Sequence, residues 1–190
     1  MQSISSIGAY PASLPLDADE IVEFHLARLL CLLHICGVSG KINGLTKFAK
    51  LDFFSRYPDF FETARLFVDS KQQERPSLST NSHQTVESAM VRHHYGPWDK
   101  RYYHALAHME SKGLIAIQKQ GRGYRIELSE LGKERAKTLS ELESFKNLVL
   151  HMKQVKSTFG GKSGNTLKKM IYEIFDKEVG ERRMGERITT

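Results

Sequence analysis

Cysteine is scarce in this chain. Cys31 and Cys36 are the only two among 190 residues, and they lie five positions apart in one apolar stretch, LARLLCLLHIC. Residues five apart on a helix point to different faces, so a disulfide between these two is not expected. Buried, reduced thiols in a cytoplasmic protein fit the pattern better. We therefore expect a packed apolar core, and not a disulfide, to hold the fold.

The features of membrane and secreted proteins are also missing. No stretch reaches the roughly 18 apolar residues that a membrane-spanning helix needs, and Arg28 and His34 interrupt the most apolar one. Residues 1–20 contain no basic residue and no apolar core of the signal-peptide kind. We expect a cytoplasmic protein with no membrane partner. Its apolar share of 40% is enough to build a core.

Positive charge is scarce early in the chain and in excess later. Residues 1–70 hold 6 Lys and Arg against 8 Asp and Glu, residues 71–140 hold 12 against 7, and residues 141–190 hold 10 against 7. Such an excess favours contact with a polyanion through the later part of the chain. A solvated basic surface explains it equally well, and both interpretations stay open.

Apolar spacing predicts helices over much of the chain. One is expected in EIVEFHLARLLCLLHIC, ended by Gly37, and another in GLTKFAKLDFFSR, ended by Pro58. A short helix over 60–68 follows. NTLKKMIYEIF carries its apolar residues on one side and predicts a last helix, with Asn165 or Thr166 as its N-cap.

The segment 98–136 indicates a helix, a two-stranded ribbon and a second helix. Gly96-Pro97 predicts a tight turn, after which WDKRYYHALAHMESKG has helical spacing. LIAIQKQ and YRIELS alternate apolar and polar residues as strands do, and Gly-Arg-Gly between them suits a hairpin turn. Ser129 is expected to cap the next helix, which is predicted to continue towards Val155.

This order of elements is typical of a winged helix, a fold that carries a DNA-reading helix or a protein-docking surface and seldom a catalytic centre. The predicted fold class is mainly α with a small β-hairpin: a winged-helix-like domain with additional N- and C-terminal helices. We expect a flexible N-terminus over 1–16, the winged-helix-like domain over 17–143 with a polar loop at 69–84, and a C-terminal helical extension over 144–190.

Basic residues on the hairpin and helices are the candidates for contact with DNA or a partner protein. On a DNA-binding wing, Lys and Arg attract phosphates and glycines allow close approach, although charge that merely keeps a hairpin soluble gives the same pattern. Base-reading helices use polar residues near their N-terminal end, yet the aromatic residues of the predicted helix favour a core role over base readout. The candidates are Lys100, Arg101, Lys119, Arg122, Arg125, Lys168 and Lys169.

Motifs for metal or nucleotide chemistry are incomplete. His104 and His108 have the spacing of metal ligands on a helix, but Ala105 stands where a zinc-protease helix carries glutamate. Gly160-Gly161-Lys162-Ser163 is similar to the end of a phosphate-binding loop, but Lys156 replaces its first glycine and the segment follows a helix. We expect no catalytic residues, metal or cofactor.

Carboxylates are dispersed along amphipathic helices. Asp52, Asp59 and Glu62 are examples, and a solvated helix face is the expected place for such residues. A nuclease would need a cluster of metal-binding carboxylates, and no convincing set is found. An enzyme is therefore the least supported class of function.

Three motifs together resemble a known family. They are GLTKFAKLDFFSRYP (Gly44–Pro58), VESAMVRHHYGPWDKRYYHALAHMESKGLI (Val86–Ile115), and GNTLKKMIYEIF followed by Met184-Gly185-Glu186. They are similar to the small middle component of bacterial ABC-three-component systems, which overlap with Lamassu-type anti-phage and anti-plasmid defence operons. The resemblance spans most of residues 20–188.

The resemblance implies a non-catalytic accessory subunit. Its partners would be an SMC-like ABC ATPase with a coiled coil and an effector nuclease, which the subunit would bridge, and double-stranded DNA is a third candidate partner. The aromatic residues of the motifs would then form scaffold and interface. The alternative, drawn from the element order alone, is a stand-alone winged-helix transcription regulator that binds a two-fold DNA site as a dimer.

Overall fold

The computed structural model describes four stretches of the chain, which are residues 21–70, 90–93, 96–121 and 123–175. The predicted flexible N-terminus, most of the predicted polar loop and Arg122 of the wing lie outside these residues. The predicted start of that loop at residue 69 is wrong, because residues 69 and 70 still belong to a helix.

The first half of the described chain is mainly helical. Its elements are α1 (Val22–Cys36), β1 (Lys41–Asn43), α2 (Leu45–Arg56) and α3 (Pro58–Ser70). The predicted end of α1 is confirmed, because the helix stops before Gly37, whose N–H donates to the Leu33 carbonyl at 3.1 Å. Pro58 both ends α2 and opens α3, because proline is excluded from a helix interior but fits its first turn. Helix α3 therefore begins two residues earlier than predicted.

The second half alternates short strands and helices. Its elements are β2 (Val91–His93), β3 (Gly96–Trp98), α4 (Tyr102–Ser111), β4 (Ile115–Gln120), β5 (Gly123–Leu128), α5 (Glu130–Glu141), a 3₁₀ turn (Glu143–Phe145), α6 (Lys146–Phe159) and α7 (Gly164–Ile174). Strands β4 and β5 form the predicted antiparallel hairpin. Strand β1 pairs with the other edge of β5, so the strand order is β1-β5-β4, and β2 pairs with β3 in a separate ribbon.

The predicted fold class, mainly α with a small β-hairpin, is confirmed. Helix α1, strand β1 and helix α2 are followed, after α3 and the β2–β3 ribbon, by helix α4 and the hairpin. In the sheet, Ile126 of β5 lies between Ile42 of β1 and Ile117 of β4. The winged-helix interpretation stays a prediction; in it, α4 would take the place of the recognition helix and β4–β5 that of the wing.

The prediction of a tight turn at Gly96-Pro97 and a helix from Trp98 is wrong. Both Pro97 and Trp98 belong to β3, which pairs with β2 in the register Arg92↔Pro97. Proline is tolerated there because a two-stranded ribbon has open edges that need no N–H donor. Helix α4 begins only at Tyr102. In the turn before it, the Asp99 carboxylate accepts a hydrogen bond from the Arg101 N–H at 2.9 Å.

Two further helix boundaries differ from the prediction. Ser129 caps α5 as predicted, since its hydroxyl accepts the Gly132 N–H at 2.9 Å. The helix does not continue towards Val155, however, because Leu142 has extended backbone angles that end α5. This break lets α5 and α6 pack separately against α1. At α7 the N-cap is Ser163, whose hydroxyl accepts the Thr166 N–H at 3.1 Å, and not Asn165 or Thr166.

One apolar core joins these elements. Leu29, Leu32 and Leu33 of α1 are fully buried, as are Phe48 and Phe54 of α2. Helices α5 and α6 pack on α1, and α6 and α7 pack on α2. The core is therefore continuous across residue 143, while the division into domains at that position stays a prediction.

The two cysteines are free and buried, as expected. Burial raises the pKa of each thiol to about 12, so both are unreactive at neutral pH. None of the helices in the described ranges has the length and apolar character needed to cross a membrane.

Close packing at Gly132 gives a test of the fold. A Cβ there would collide with the carbonyl oxygen of Leu114 and lie 2.9 Å from its carbonyl carbon. We expect Gly132→Ala to lower the free energy of unfolding by about 1–3 kcal/mol, because backbone must move to admit the methyl group.

Gly161→Ala is the matched control, since nothing lies within 4 Å of its Cβ position. We expect it to be neutral or to stabilise by about 0.5 kcal/mol. Urea unfolding of both variants measures the difference, and equal stabilities would contradict the close approach of α5 to Leu114.

Candidate DNA or partner interface

Helix α4 and the hairpin enclose a shallow apolar groove. Tyr103, Ala107 and Glu110 lie along the outer side of α4, and Tyr103 is 62% exposed. The remaining walls come from the start of α2 and from β4 and β5, through Leu45, Leu106, Ile117, Tyr124 and Ile126. The groove has a volume of about 240 Å³. It occupies the surface that a winged helix would present to DNA or to a partner.

One side of α4 faces the core. Tyr102, Leu106 and Met109 recur at helical spacing and all three are buried. They fix the rotation of the helix, so Tyr103 and Ala107 must face outward. The aromatic character of α4 thus divides into a core side and an exposed side.

The two basic residues before α4 have different environments. Lys100 is exposed. Arg101 binds Asp99 through two atoms, with Nε at 3.0 Å from Oδ1 and one Nη at 2.7 Å from Oδ2. Its guanidinium is therefore held against the protein, which makes it a poor candidate for reaching into a DNA groove.

The wing carries less free positive charge than its sequence suggests. Lys119 is exposed and lies opposite Tyr124 in the hairpin register. Arg125 donates a hydrogen bond to Gln118 and lies 3.6 Å from a carboxylate oxygen of Glu127, which also pairs with Lys41 at 2.7 Å. Of the two described basic residues of the wing, Lys119 is the better placed to contact a polyanion.

The two lysines of α7 are on a different element from the wing. Lys169 is exposed and Lys168 is half-buried. Helix α7 packs on α2, α3 and β3, whereas the hairpin packs on β1, α1, α2, α4 and α5, so α2 lies between the two. The candidate basic residues are therefore distributed over the α4 start, the wing and α7 instead of forming one continuous stripe.

A buried ionic network is the feature that the sequence interpretation missed. Asp52 of α2 is fully buried and pairs with the Arg28 guanidinium of α1. Its second oxygen accepts the Tyr102 hydroxyl of α4 at 2.6 Å, and Arg28 in turn donates to Nδ1 of His25 at 2.6 Å. The expectation that Asp52 lies on a solvated helix face is therefore wrong, because the partners that neutralise it come from two other helices.

A second buried pair joins α2 to the segment before α4. Arg56 donates to Asp99 at 2.9 Å, and both side chains are almost completely buried. Burial alone would raise the pKa of Asp99, but hydrogen bonds from Arg101 and the positive charge of Arg56 outweigh it and hold the pKa well below its usual range. Asp99 is therefore an anion with two cationic partners.

Lys50 completes the connection between α2 and β3. Its Nζ donates to the Pro97 carbonyl at 2.6 Å and lies 5.8 Å from the centre of the Trp98 ring. Burial, reinforced by the charge of Lys168, lowers the pKa of Lys50 to about 7. Two sequence signals indicate this network: Arg28 interrupts the apolar run of α1, and α2 mixes charged residues with three phenylalanines.

Potential metal ligands are dispersed over the described residues. No group of three or more His, Cys, Asp or Glu side chains within them is placed to hold a metal ion. Both carboxylates of the buried network, Asp52 and Asp99, are paired with arginines, and the described cavity between α4 and the hairpin is mainly apolar. Comparison of the chain with protein-family models, with curated proteins and with solved structures finds no match.

Removing the central carboxylate should be strongly destabilising. Asp52→Ala leaves the Arg28 guanidinium and the Tyr102 hydroxyl buried without this acceptor, and we expect a loss of about 3–5 kcal/mol in the free energy of unfolding. Glu62→Ala removes one partner of the exposed Glu62–Arg65 pair, 2.5 Å apart, and should cost less than about 1 kcal/mol.

The double variant Arg28→Met, Asp52→Leu separates charge from packing. Because an apolar pair can replace a buried ion pair at little cost, it should recover much of the stability lost by Asp52→Ala. Chemical unfolding measures all three variants. If Asp52→Ala and the double variant lose the same free energy of unfolding, the unpaired charge is not the cause of the destabilisation.

His25 should make the fold sensitive to acid. Burial, aided by the charge of Arg28, lowers its pKa from 6.5 to about 4. His25 therefore takes up a proton near pH 6.5 in the unfolded chain but only near pH 4 in the folded chain. The stability contribution is complete above pH 6.5 and is lost as pH falls towards 4, by up to about 3 kcal/mol.

His25→Gln keeps an acceptor for Arg28 but cannot titrate in this range. The free energy of unfolding of this variant, measured from pH 7 to pH 4, should fall less steeply than that of the unsubstituted protein. Parallel pH profiles would show that His25 does not couple to folding.

Proposed function

We propose that this protein is a cytoplasmic, non-catalytic accessory subunit of an SMC-like ATPase defence complex of the Lamassu type, which acts against phage or plasmid DNA. In this proposal it bridges a coiled-coil ABC ATPase and an effector nuclease, and its basic residues add contacts to double-stranded DNA. The resemblance of three sequence motifs to the middle component of such systems is its starting point.

The placement of those motifs in the fold is the observation that supports a structural role. Lys50, Asp52 and Arg56 come from the first motif, and each bonds a residue of the second, namely Pro97, Tyr102 or Asp99. The helix of the third motif, α7, packs on α2. The polar residues of the first two motifs thus form buried hydrogen bonds with each other, which suits a scaffold better than an active site.

A stand-alone transcription regulator is the second candidate. The order α1–β1–α2 followed by α4 and a hairpin favours it, because such an arrangement presents a helix beside a wing. The exposed side of α4 argues against direct base readout. Its exposed residues include Tyr103, Ala107, Glu110 and two histidines, but no arginine, asparagine or glutamine, which are the common base-reading residues.

Purification of the tagged protein from its native host at moderate salt separates the two candidates. The accessory-subunit proposal expects a large coiled-coil ATPase and a nuclease to be recovered in a stable ratio, identified by mass spectrometry. Recovery of this protein without any partner protein, but with DNA from one promoter, would refute the accessory-subunit proposal and favour the transcription regulator.

Charge reversal at the wing tests the DNA contact. Lys119→Glu should weaken binding to a random-sequence DNA duplex and reduce the salt dependence of binding by about one phosphate contact. Lys153→Glu changes an exposed lysine of α6 by the same charge and is the control. If the two variants bind DNA equally, or if neither differs from the unsubstituted protein in DNA affinity and complex assembly, the wing is not the contact.

A further inference from the structure

The groove between α4 and the hairpin has the form of a site for one large apolar side chain. Its floor is made by Leu45, Leu106 and Ile126, while Tyr103 and Tyr124 stand at its edges and are 62% and 52% exposed. Pockets of this kind, walled by aromatic residues, receive the anchor side chains of protein interfaces. Its volume of about 240 Å³ suits a single aromatic or long aliphatic side chain.

The charged groups around the groove are mainly positive. The exposed charged residues between positions 100 and 124, within the described chain, are Lys100, Glu110, Lys112 and Lys119. Lys100 lies one turn before Tyr103, and Lys119 lies opposite Tyr124 on the same face of the hairpin. The single acidic residue, Glu110, accepts the Ile117 N–H at 2.9 Å. A ligand that extends from either end of the groove therefore meets a lysine.

We propose that this groove binds an acidic segment of a partner protein that inserts one aromatic or long aliphatic side chain between Tyr103 and Tyr124. The apolar walls hold the inserted side chain, and Lys100 and Lys119 attract carboxylates on either side of it. This inference rests on the proposed function only for the identity of the partner, which would be the ATPase or the effector.

The lining of the groove itself, as distinct from Lys119 on the wing, disfavours DNA as the occupant. Base edges would meet Tyr103, Ala107 and Tyr124 in place of bidentate hydrogen-bonding side chains. Arg101, the arginine closest to α4, is bound to Asp99. A peptide with a large apolar side chain uses every feature of the groove, whereas DNA would use only its lysines.

Titration of the full-length, ¹⁵N-labelled protein with defined peptides tests the proposal. The probe is Asp-Asp-Trp-Asp-Asp, and the comparison peptides are Asp-Asp-Ala-Asp-Asp and Lys-Lys-Trp-Lys-Lys. We expect the probe to shift the amide resonances of Ala107, Ile117 and Tyr124 in a saturable manner. Each comparison peptide should bind about tenfold more weakly or worse, because it lacks either the anchor or the charge.

Two variants of the protein make the result specific to the groove. Ala107→Trp places an indole in the groove at an exposed helical position and should abolish binding of the probe. Ser157→Trp adds the same side chain to an exposed position of α6, a helix that packs on α1 and α2, and should leave binding unchanged.

Three results would overturn the proposal: no shift at the groove residues, equal affinity for the three peptides, or equal binding by Ala107→Trp. Stronger binding of a random-sequence DNA duplex at the same residues would also overturn it and assign this face to nucleic acid. The titration needs no host protein, so its failure leaves the accessory-subunit proposal standing. If purification from the host recovers no ATPase but the peptide titration is positive, the accessory-subunit proposal fails and the groove proposal stands.

Discussion

The rest of the structure depends on the pairing of one buried carboxylate. Asp52 lies in α2 and binds Arg28 of α1 and Tyr102 of α4, so three helices meet at a single side chain. A buried charge is tolerated only where its partners are in place. The apolar core could accept several rotations of these helices, but the charge pairing permits few of them. Because α4 leads directly into β4, this pairing also sets where the hairpin lies.

A second set of contacts fixes the approach to α4. Arg56 and Arg101 both bind Asp99, and Lys50 binds the carbonyl of Pro97. These bonds attach β3 and the start of α4 to α2, and they occupy charged groups that could otherwise have faced a ligand. The side of α4 that lines the groove is mainly aromatic and apolar apart from Glu110, and we therefore favour a protein partner for it.

A groove that is held in one shape by buried contacts suits the proposed subunit that positions other proteins. An interface needs its anchor pocket held in one shape before binding, since ordering mobile side chains costs free energy. Here the walls of the groove come from α2, α4 and the hairpin, and the buried network ties two of these elements together. The groove is thus preformed by the same interactions that stabilise the fold.

By itself the sequence determined the local elements. Tyr102, Leu106 and Met109 recur at helical spacing, Ile115 and Ile117 alternate as in a strand, and Ser129 caps a helix, because periodicity and capping depend on neighbours in the chain. The burial of Asp52, the strand at Trp98 and the break at Leu142 were decided only by the tertiary structure. Each depends on partners far away in the sequence: Arg28 for the carboxylate, Lys50 of α2 for the strand that it holds at Pro97, and α1 for the two helices that the break separates.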